Sequence, residues 1–120
     1  MSITVSNKKR ERVNFKGATY HITTRCNNKE ELIKNDLDVE KYKYILKRSK
    51  KKFGFLLHNY IVINSHPHLI MRLELTLDIS KIMHAINREY ARWYNWYYKR
   101  KGHFWENRFY AELIKDDFST

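Results

Sequence analysis

The chain has 120 residues, with 24 Lys and Arg against 13 Asp and Glu, a net charge of +11 before its 6 histidines are counted. That length supports one domain with a sizeable core, and 42% hydrophobic with 15% aromatic residues excludes an intrinsically disordered chain. A single Pro and 3 Gly exclude collagen-like character, the lone Cys26 excludes a disulfide framework or Cys-based zinc site, and no apolar run approaches the ~20 residues of a membrane span.

Residues 1–16 (MSITVSNKKRERVNFK) are polar, basic and without periodicity, and are expected to form an N-terminal arm. GATYHITTR over 17–25 is rich in β-branched and aromatic residues and predicts a first strand. CNNKEE breaks it, and Asp36 or Asp38 is placed to cap a helix. The apolar face of that helix reads Val39, Tyr42, Ile45, Leu46, Ser49 and Phe53. KRSKKK over 47–52 loads its C-terminal turns with cations, where the helix dipole favours them, and Gly54 is the stop. FLLHNYIVIN over 55–64 predicts a second strand, NSHP over 64–67 a turn, and HLIMRLEL over 68–75 a third strand antiparallel to the second. Asp78 or Ser80 caps a second helix, whose apolar stripe is Ile79, Ile82 or Met83, Ile86, Tyr90, Trp93 and Tyr97. Its opposite face carries Lys81, Arg88, Arg92, Asn95 and Lys99, and KRKG over 99–102 ends it. HFWENRFYAELIK over 103–115 predicts the last strand, and DDFST over 116–120 reads as the cap of a third helix. The order β-α-β-β-α-β predicts an α+β, ferredoxin-like arrangement over 17–120, with an antiparallel sheet and both helices on one face.

The excess of cations favours a polyanionic partner, most often nucleic acid; a merely basic surface is the alternative. Exposed aromatic rings would stack bases beside phosphate-tracking Lys and Arg, although most of the rings must fill the core of so small a domain. The sharpest local signal is His66-Pro67-His68. In an extended segment, residues two apart point to the same side at roughly 6.5–7 Å. Two imidazoles so held can grip one divalent metal and leave its other positions to water or phosphate. Pro67 cannot donate a ladder hydrogen bond, so the pair belongs at a strand start or edge. The alternative is a pair of polar turn residues. His21, on the first strand, is either a neighbour across the sheet or a core-edge residue; His58, His84 and His103 have no partner at ligand spacing.

Three blocks carry a family resemblance: TYHITTRCNN (19–28), LHNYIVINSHPHLIM (57–71) and INREYARWYNWYYKRKGHFWENRFYAELIKDD (86–117). In this order they resemble the single-tyrosine HUH transposases, and among these the REP-associated tyrosine transposases and their insertion-sequence 200-like relatives. The resemblance implies a ferredoxin-like core acting on single-stranded or hairpin DNA in transposition. It implies that His66 and His68 hold Mg²⁺ or Mn²⁺ against the scissile phosphate, and that a tyrosine attacks to leave a phosphotyrosine. It further implies a protein that commonly works as a homodimer; the lack of an apolar span or signal core leads to the expectation of a cytoplasmic protein, nucleoid-associated when bound to DNA, with no membrane association. The family's nucleophilic tyrosine lies on a helix after the final strand, which places it beyond Thr120, together with a further polar side chain that assists the metal. Tyr90, Tyr94, Tyr97 and Tyr98 on the second helix and Tyr110 in the last strand read as core or base-stacking residues instead.

Candidate DNA contacts are Arg25, Asn27 and Asn28 at the end of the first strand; Arg88, Arg92, Lys99, Arg100 and Lys101 along the second helix and its exit; and Trp105, Asn107 and Arg108 beyond it. Each has a plainer alternative: a solvated loop, a solvated helix face or, for Trp105, a core plug. Lys47, Arg48, Lys50, Lys51 and Lys52 read as a solvated helix end more readily than as a phosphate track. Two further functional readings stay open, a truncated DNA-binding remnant that cannot cut and, more remotely, an RNA-binding ferredoxin-like module.

Overall fold

In the computed structural model, which describes residues 2–4, 14–106 and 108–114, alternation of buried and half-exposed side chains builds the sheet. Its elements are Ser2–Thr4 (β1), Thr19–Thr23 (β2), Asp36–Phe53 (α1), Leu56–Ile63 (β3), His66–Arg72 (β4), Ile79–Tyr97 (α2) and Tyr110–Ile114 (β5). The strand order is β1-β5-β2-β4-β3, and every neighbouring pair is antiparallel. Tyr20 and Ile22 of β2, Leu69 and Met71 of β4, and Ala111 of β5 point to one face, where they meet Tyr42, Ile45 and Leu46 of α1 and Ile82, Met83, Ile86 and Tyr90 of α2. The other face carries Thr19, His21 and Thr23, His66 and His68, and Tyr110 and Glu112, none of them fully buried. The α+β, ferredoxin-like arrangement read from the sequence is therefore the fold, with Ser2–Thr4 pairing to the outer edge of β5 as an additional strand. That strand falls within the expected basic arm; the rest of the arm up to residue 13, and the helix cap expected over 116–120, lie outside the described residues.

Several boundaries differ from the sequence reading for local reasons. Asn35, rather than Asp36 or Asp38, caps α1: its side chain accepts from the Asp38 N–H, and the Asp38 carboxylate returns to the Asn35 N–H in a capping box. Asp38 also accepts from the Lys34 N–H, which accounts for a buried carboxylate at a helix start. Gly54 stops the helix at φ +68°, and its N–H donates to Lys50 O at 2.8 Å. Asp78 caps α2 by accepting from the Lys81 N–H. The stripe of α2 runs as expected to Tyr90 and then turns: Tyr94 is buried and Tyr97 is 48% exposed. Phe104, folding back from the loop after the helix, packs 4.7 Å from Tyr94 and draws that side chain inward. The last strand begins at Tyr110, because residues 103–106 form a loop in which Trp105 makes an isolated bridge to Cys26.

The hairpin between β3 and β4 is tighter than NSHP suggests. Asn64 and Ser65 alone form the turn, with φ of +51° and +61°, so His66 and Pro67 already belong to β4. Two consecutive left-handed residues match the right-handed twist of the flanking strands. Serine is an unusual occupant of that conformation, and tertiary contacts hold it. The buried Ser65 hydroxyl accepts from the Ile33 N–H at 2.8 Å and donates to Ile33 O at 3.3 Å, while Ser65 O faces the Cys26 thiol at 3.5 Å. Replacing Ser65 by Ala strands a buried N–H and carbonyl, and is expected to lower unfolding free energy by about 1–3 kcal/mol. Urea denaturation with an unchanged slope checks this; a midpoint equal to wild type would show that the turn does not need the anchor.

Candidate metal and nucleic-acid site

The register of β4 turns its two histidines outward. Pro67 and Leu69 are buried, so His66 and His68, at alternate positions, share the open face of the sheet. Pro67 sits one residue into the strand, where its carbonyl accepts from the Thr24 N–H at 3.2 Å. The next strand adds a third imidazole. Thr23 pairs with His68, so His21 is its diagonal neighbour, with His21 Nε2 3.3 Å from His68 Nδ1. Of the two options the sequence leaves for His21, the neighbour across the sheet is the one realised. Burial holds the His68 imidazole below its usual pKa, and the neighbouring His21, His66 and Arg25 act in the same direction. The neutral, ligating form of His68 is thereby favoured near neutral pH.

Two clefts flank the histidines. A cavity of about 540 Å³ runs along β2 and β5 and is lined by His21, Thr23, His68, Arg108, Tyr110 and Glu112, among others. A smaller one, about 270 Å³, is lined by Arg25, Glu31, Asn64, His66 and Glu106. Arg25 and Glu106 border both clefts, tied through a 2.7 Å backbone hydrogen bond from the Glu106 N–H to Arg25 O. Guanidinium and carboxylate groups thus line the clefts together with the imidazoles. Among the described residues no three His, Cys, Asp or Glu side chains converge closely enough to hold a metal unaided. The donors that do share a face, His66 and His68 with a cleft at each, fit half of a divalent site whose other positions would be open.

The remaining candidates divide by location. Arg25 and Arg108 are exposed at the clefts. Asn27 and Asn28 sit in a short 3-10 turn (Asn27–Lys29), where Asn28 adopts φ +55° and the Asn27 N–H donates to Phe104 O. Arg88 and Arg92 project from α2 in the helix layer, on the side of the sheet away from His68, and Lys99 and Lys101 are exposed at its exit. Arg100 is engaged internally: its guanidinium donates to Asn95 Oδ1, Glu30 Oε1 and His103 O, which fastens the loop after α2. Trp105 is half-buried, donates its indole N–H to Asn87 O at 2.7 Å, and packs on Phe104 and Tyr90. Asn107 lies outside the described residues. His58, His84 and His103 are exposed and join no ligand group among the described residues.

The tyrosines separate in the same way. Tyr90 donates its hydroxyl to Asp38 O and Tyr94 donates to Leu32 O, both on the helix side of the sheet. Tyr98 hydrogen-bonds Asp38 at the end of the same cluster. Burial raises the Tyr94 phenol to about 12 and pushes Tyr42 and Tyr90 further up. Tyr110 is different: it is 52% exposed and lines the His68 cleft. Sequence reasoning passed over Glu106, Tyr110 and Glu112 as site residues. The signal available was strand parity, since Tyr110 and Glu112 flank a buried Ala111 and share the face of their β2 partners Thr23 and His21.

Residues 14–119 match the family model described as Transposase IS200 like. No curated protein sequence matches the chain significantly. Among solved structures, the fold is similar to that of a REP-associated tyrosine transposase bound to a REP hairpin, at TM-score 0.71 and 19% identity over 88% of this chain. It is likewise similar to a candidate transposase from Deinococcus radiodurans r1, at TM-score 0.68 and 15% identity, covering 88% of this chain and 84% of the other. The chain spans 61% of the length of the hairpin-bound transposase.

The buried phenols set an alkaline limit on stability. Their unfolded forms ionise near 10 whereas Tyr94 retains its proton to about 12, so the unfolded chain releases protons that the native state keeps. Stability is therefore expected to be level below the unfolded value and to fall as pH rises through this window. Urea midpoints measured from neutral pH upward check it, and a midpoint that stays flat would contradict the burial of these hydroxyls.

Proposed function

The chain belongs to the IS200-like transposases, and on that premise we propose that its histidine face binds single-stranded or hairpin DNA for metal-dependent strand cleavage and rejoining. One observation carries this reading: His66 and His68 share the open face of the sheet with the exposed guanidinium groups of Arg25 and Arg108 beside them. Arg25 and Arg108 would take phosphate oxygens as charge-assisted partners and set the strand across the imidazoles. His66 and His68 would hold Mg²⁺ or Mn²⁺, which supplies Lewis-acid polarisation of a phosphate oxygen when bound. The lowered pKa of His68 favours the unprotonated ring, the form that can ligate. Glu106 and Glu112, which also line the larger cleft, would repel a strand misplaced toward the carboxylates and so narrow its path.

The nucleophile in this reading is a tyrosine delivered to the histidine face. Tyr90 and Tyr94 do not qualify: the sheet separates them from His68, their hydroxyls are bonded to carbonyls, and burial disfavours their ionised forms. These engaged phenols favour a second reading for residues 1–120, in which the chain binds DNA without forming a covalent link. An RNA-binding sheet is less well supported, since the open face presents imidazoles where such modules stack bases on paired aromatic rings.

Mn²⁺ is expected to raise the melting temperature, by up to about 2.7 kcal/mol of stabilisation at a hundredfold excess over Kd, and His66→Ala with His68→Ala is expected to abolish the shift. A shift that survives both substitutions would remove these histidines from the metal site. For DNA, Arg25→Ala and Arg108→Ala are each expected to weaken hairpin binding and to reduce the log–log salt slope by about 0.7–0.9 per lost phosphate contact, the lower value for single strand and the higher for duplex stem. An unaltered slope would place the DNA elsewhere. Incubation of residues 1–120 with a hairpin and Mn²⁺ is expected to yield no denaturant-resistant adduct. An adduct mapped to Tyr110, which lines the His68 cleft, would overturn the binding-only reading and name the nucleophile.

A further inference from the structure

The metal reading makes a demand on His68 that only one of its neutral tautomers meets. His68 Nδ1 lies 3.3 Å from His21 Nε2 and 3.4 Å from Thr23 Oγ1, so the nitrogen left for a ligand is Nε2. Nε2 offers a lone pair only when the ring proton sits on Nδ1, and that N–H then needs an acceptor. The ring geometry singles out His21. The two centroids are 5.5 Å apart, close to the greatest separation that a 3.3 Å N···N contact allows between imidazoles. Both nitrogens therefore point along the line joining the rings, which lies in both ring planes, the direction of an N–H bond and of the lone pair that receives it. The Thr23 hydroxyl is slightly farther, and like His21 Nε2 it can either donate or accept; the alignment therefore names the partner, and the demand for a free Nε2 on His68 sets the direction of the proton.

We propose that His21 is a positioning residue, whose Nε2 accepts the Nδ1 proton of His68 and fixes that ring with Nε2 presented to the cleft. The purpose of the contact and the direction of its proton rest on the metal reading above; the contact itself does not. The sheet builds the arrangement in. Fully buried Tyr20 and Ile22 on either side of His21 lock its strand in register, with Ile22 opposite Leu69 and Thr23 opposite His68. A ligating histidine whose second nitrogen is held in this way loses about 10–100-fold in metal affinity when its holder is removed.

Two measurements on the 120-residue chain decide the matter. Long-range ¹H–¹⁵N spectra of the metal-free protein, at a pH where both rings are neutral, are expected to show His68 protonated on Nδ1 in wild type. In His21→Leu the proton is expected to move to Nε2, the form an unpartnered neutral histidine prefers. Mn²⁺ titration followed by electron paramagnetic resonance is expected to weaken about 10–100-fold in His21→Leu and to recover most of the loss in His21→Gln, whose Oε1 can accept the same proton. His68 protonated on Nε2 in wild type, or unchanged Mn²⁺ affinity in His21→Leu, overturns the proposal. A loss in His21→Leu as complete as in His68→Ala also overturns it, because His21 would then be a ligand itself. A wild-type chain that takes up no Mn²⁺ overturns the metal reading instead, and the wild-type tautomer spectrum still decides the His21 contact.

Discussion

The site depends on the register of one hairpin. Asn64 and Ser65 turn the chain in two residues, and the count from that turn decides which way every side chain of β4 points. A slip of one residue would carry His66 and His68 into the core and put Pro67, Leu69 and Met71 on the open face. Two forces oppose the slip. The buried apolar side chains of β4 lose their contacts if they rotate outward, at about 1.5–3 kcal/mol for a side chain of that size. The Ser65 hydroxyl, fitted to both backbone groups of Ile33, holds the turn itself at a fixed place on the segment before α1. Local turn chemistry and long-range packing thus agree on one register, and the histidine pair follows from it.

The sheet then acts as a partition. On the helix side, Tyr90 is the hub of an aromatic cluster, within 5.3–6.1 Å of Tyr42, Trp93, Tyr94, Phe104 and Trp105. Its hydroxyl and that of Tyr94 reach the backbone of the segment around Asp38, and the same segment anchors Ser65 through Ile33. Part of the aromatic content that suggests base stacking from composition is therefore engaged in joining the two helices to the loop before α1, while Tyr44, Trp96 and Tyr97 stay exposed on the helices. What lines the clefts is mostly polar: three imidazoles, two guanidinium groups, three carboxylates, Thr23 and Asn64, with Phe109 and Tyr110 as the aromatic members. Chemistry and cohesion occupy opposite faces of one layer, which lets the polar face vary without unpacking the core.

The sequence made legible whatever rests on period and on short-range chemistry. The switch from alternation to helical spacing gave the element order, Asp78 and Gly54 were recognisable as helix ends, and the spacing of His66 and His68 placed them on one side of a strand. Features set by distant partners were hidden. Asn35 caps α1 because Asp38 reciprocates, and Asp38 is buried because Tyr90 and Tyr98 close over it. Tyr94 replaces Tyr97 in the core because Phe104 returns to meet it, a contact across a loop that no helical period encodes. Arg100 resembles a phosphate ligand by its neighbours in sequence, and the structure adds internal partners that no pattern shows, since it donates to Asn95, Glu30 and His103. His21 stood in the sequence as one of two options, and the diagonal contact between strands 45 or more residues apart decides between them.

The distribution of the positive charge bears on how a nucleic acid would use it. Lys47, Arg88 and Arg92 lie in the helix layer, while Arg25 and Arg108 border the clefts on the opposite face. A layer of packed secondary structure is about 10 Å thick, comparable to the Debye length of about 8 Å at physiological ionic strength. Cations on the helix side are then largely screened from a phosphate lying on the histidine face, unless the strand wraps around the sheet edge. Their contribution would be to the long-range field that raises the encounter rate of any polyanion, whereas in the proposed reading alignment over the imidazoles would fall to the two arginines at the clefts. Net charge of +11 is thus a statement about association, and the local mixture of guanidinium and carboxylate groups around His66 and His68 is the statement about register. A cleft lined partly by carboxylates attracts a backbone less strongly than a uniformly basic groove, but it penalises each misplaced phosphate by like-charge repulsion, which would suit the proposed handling of a single phosphodiester.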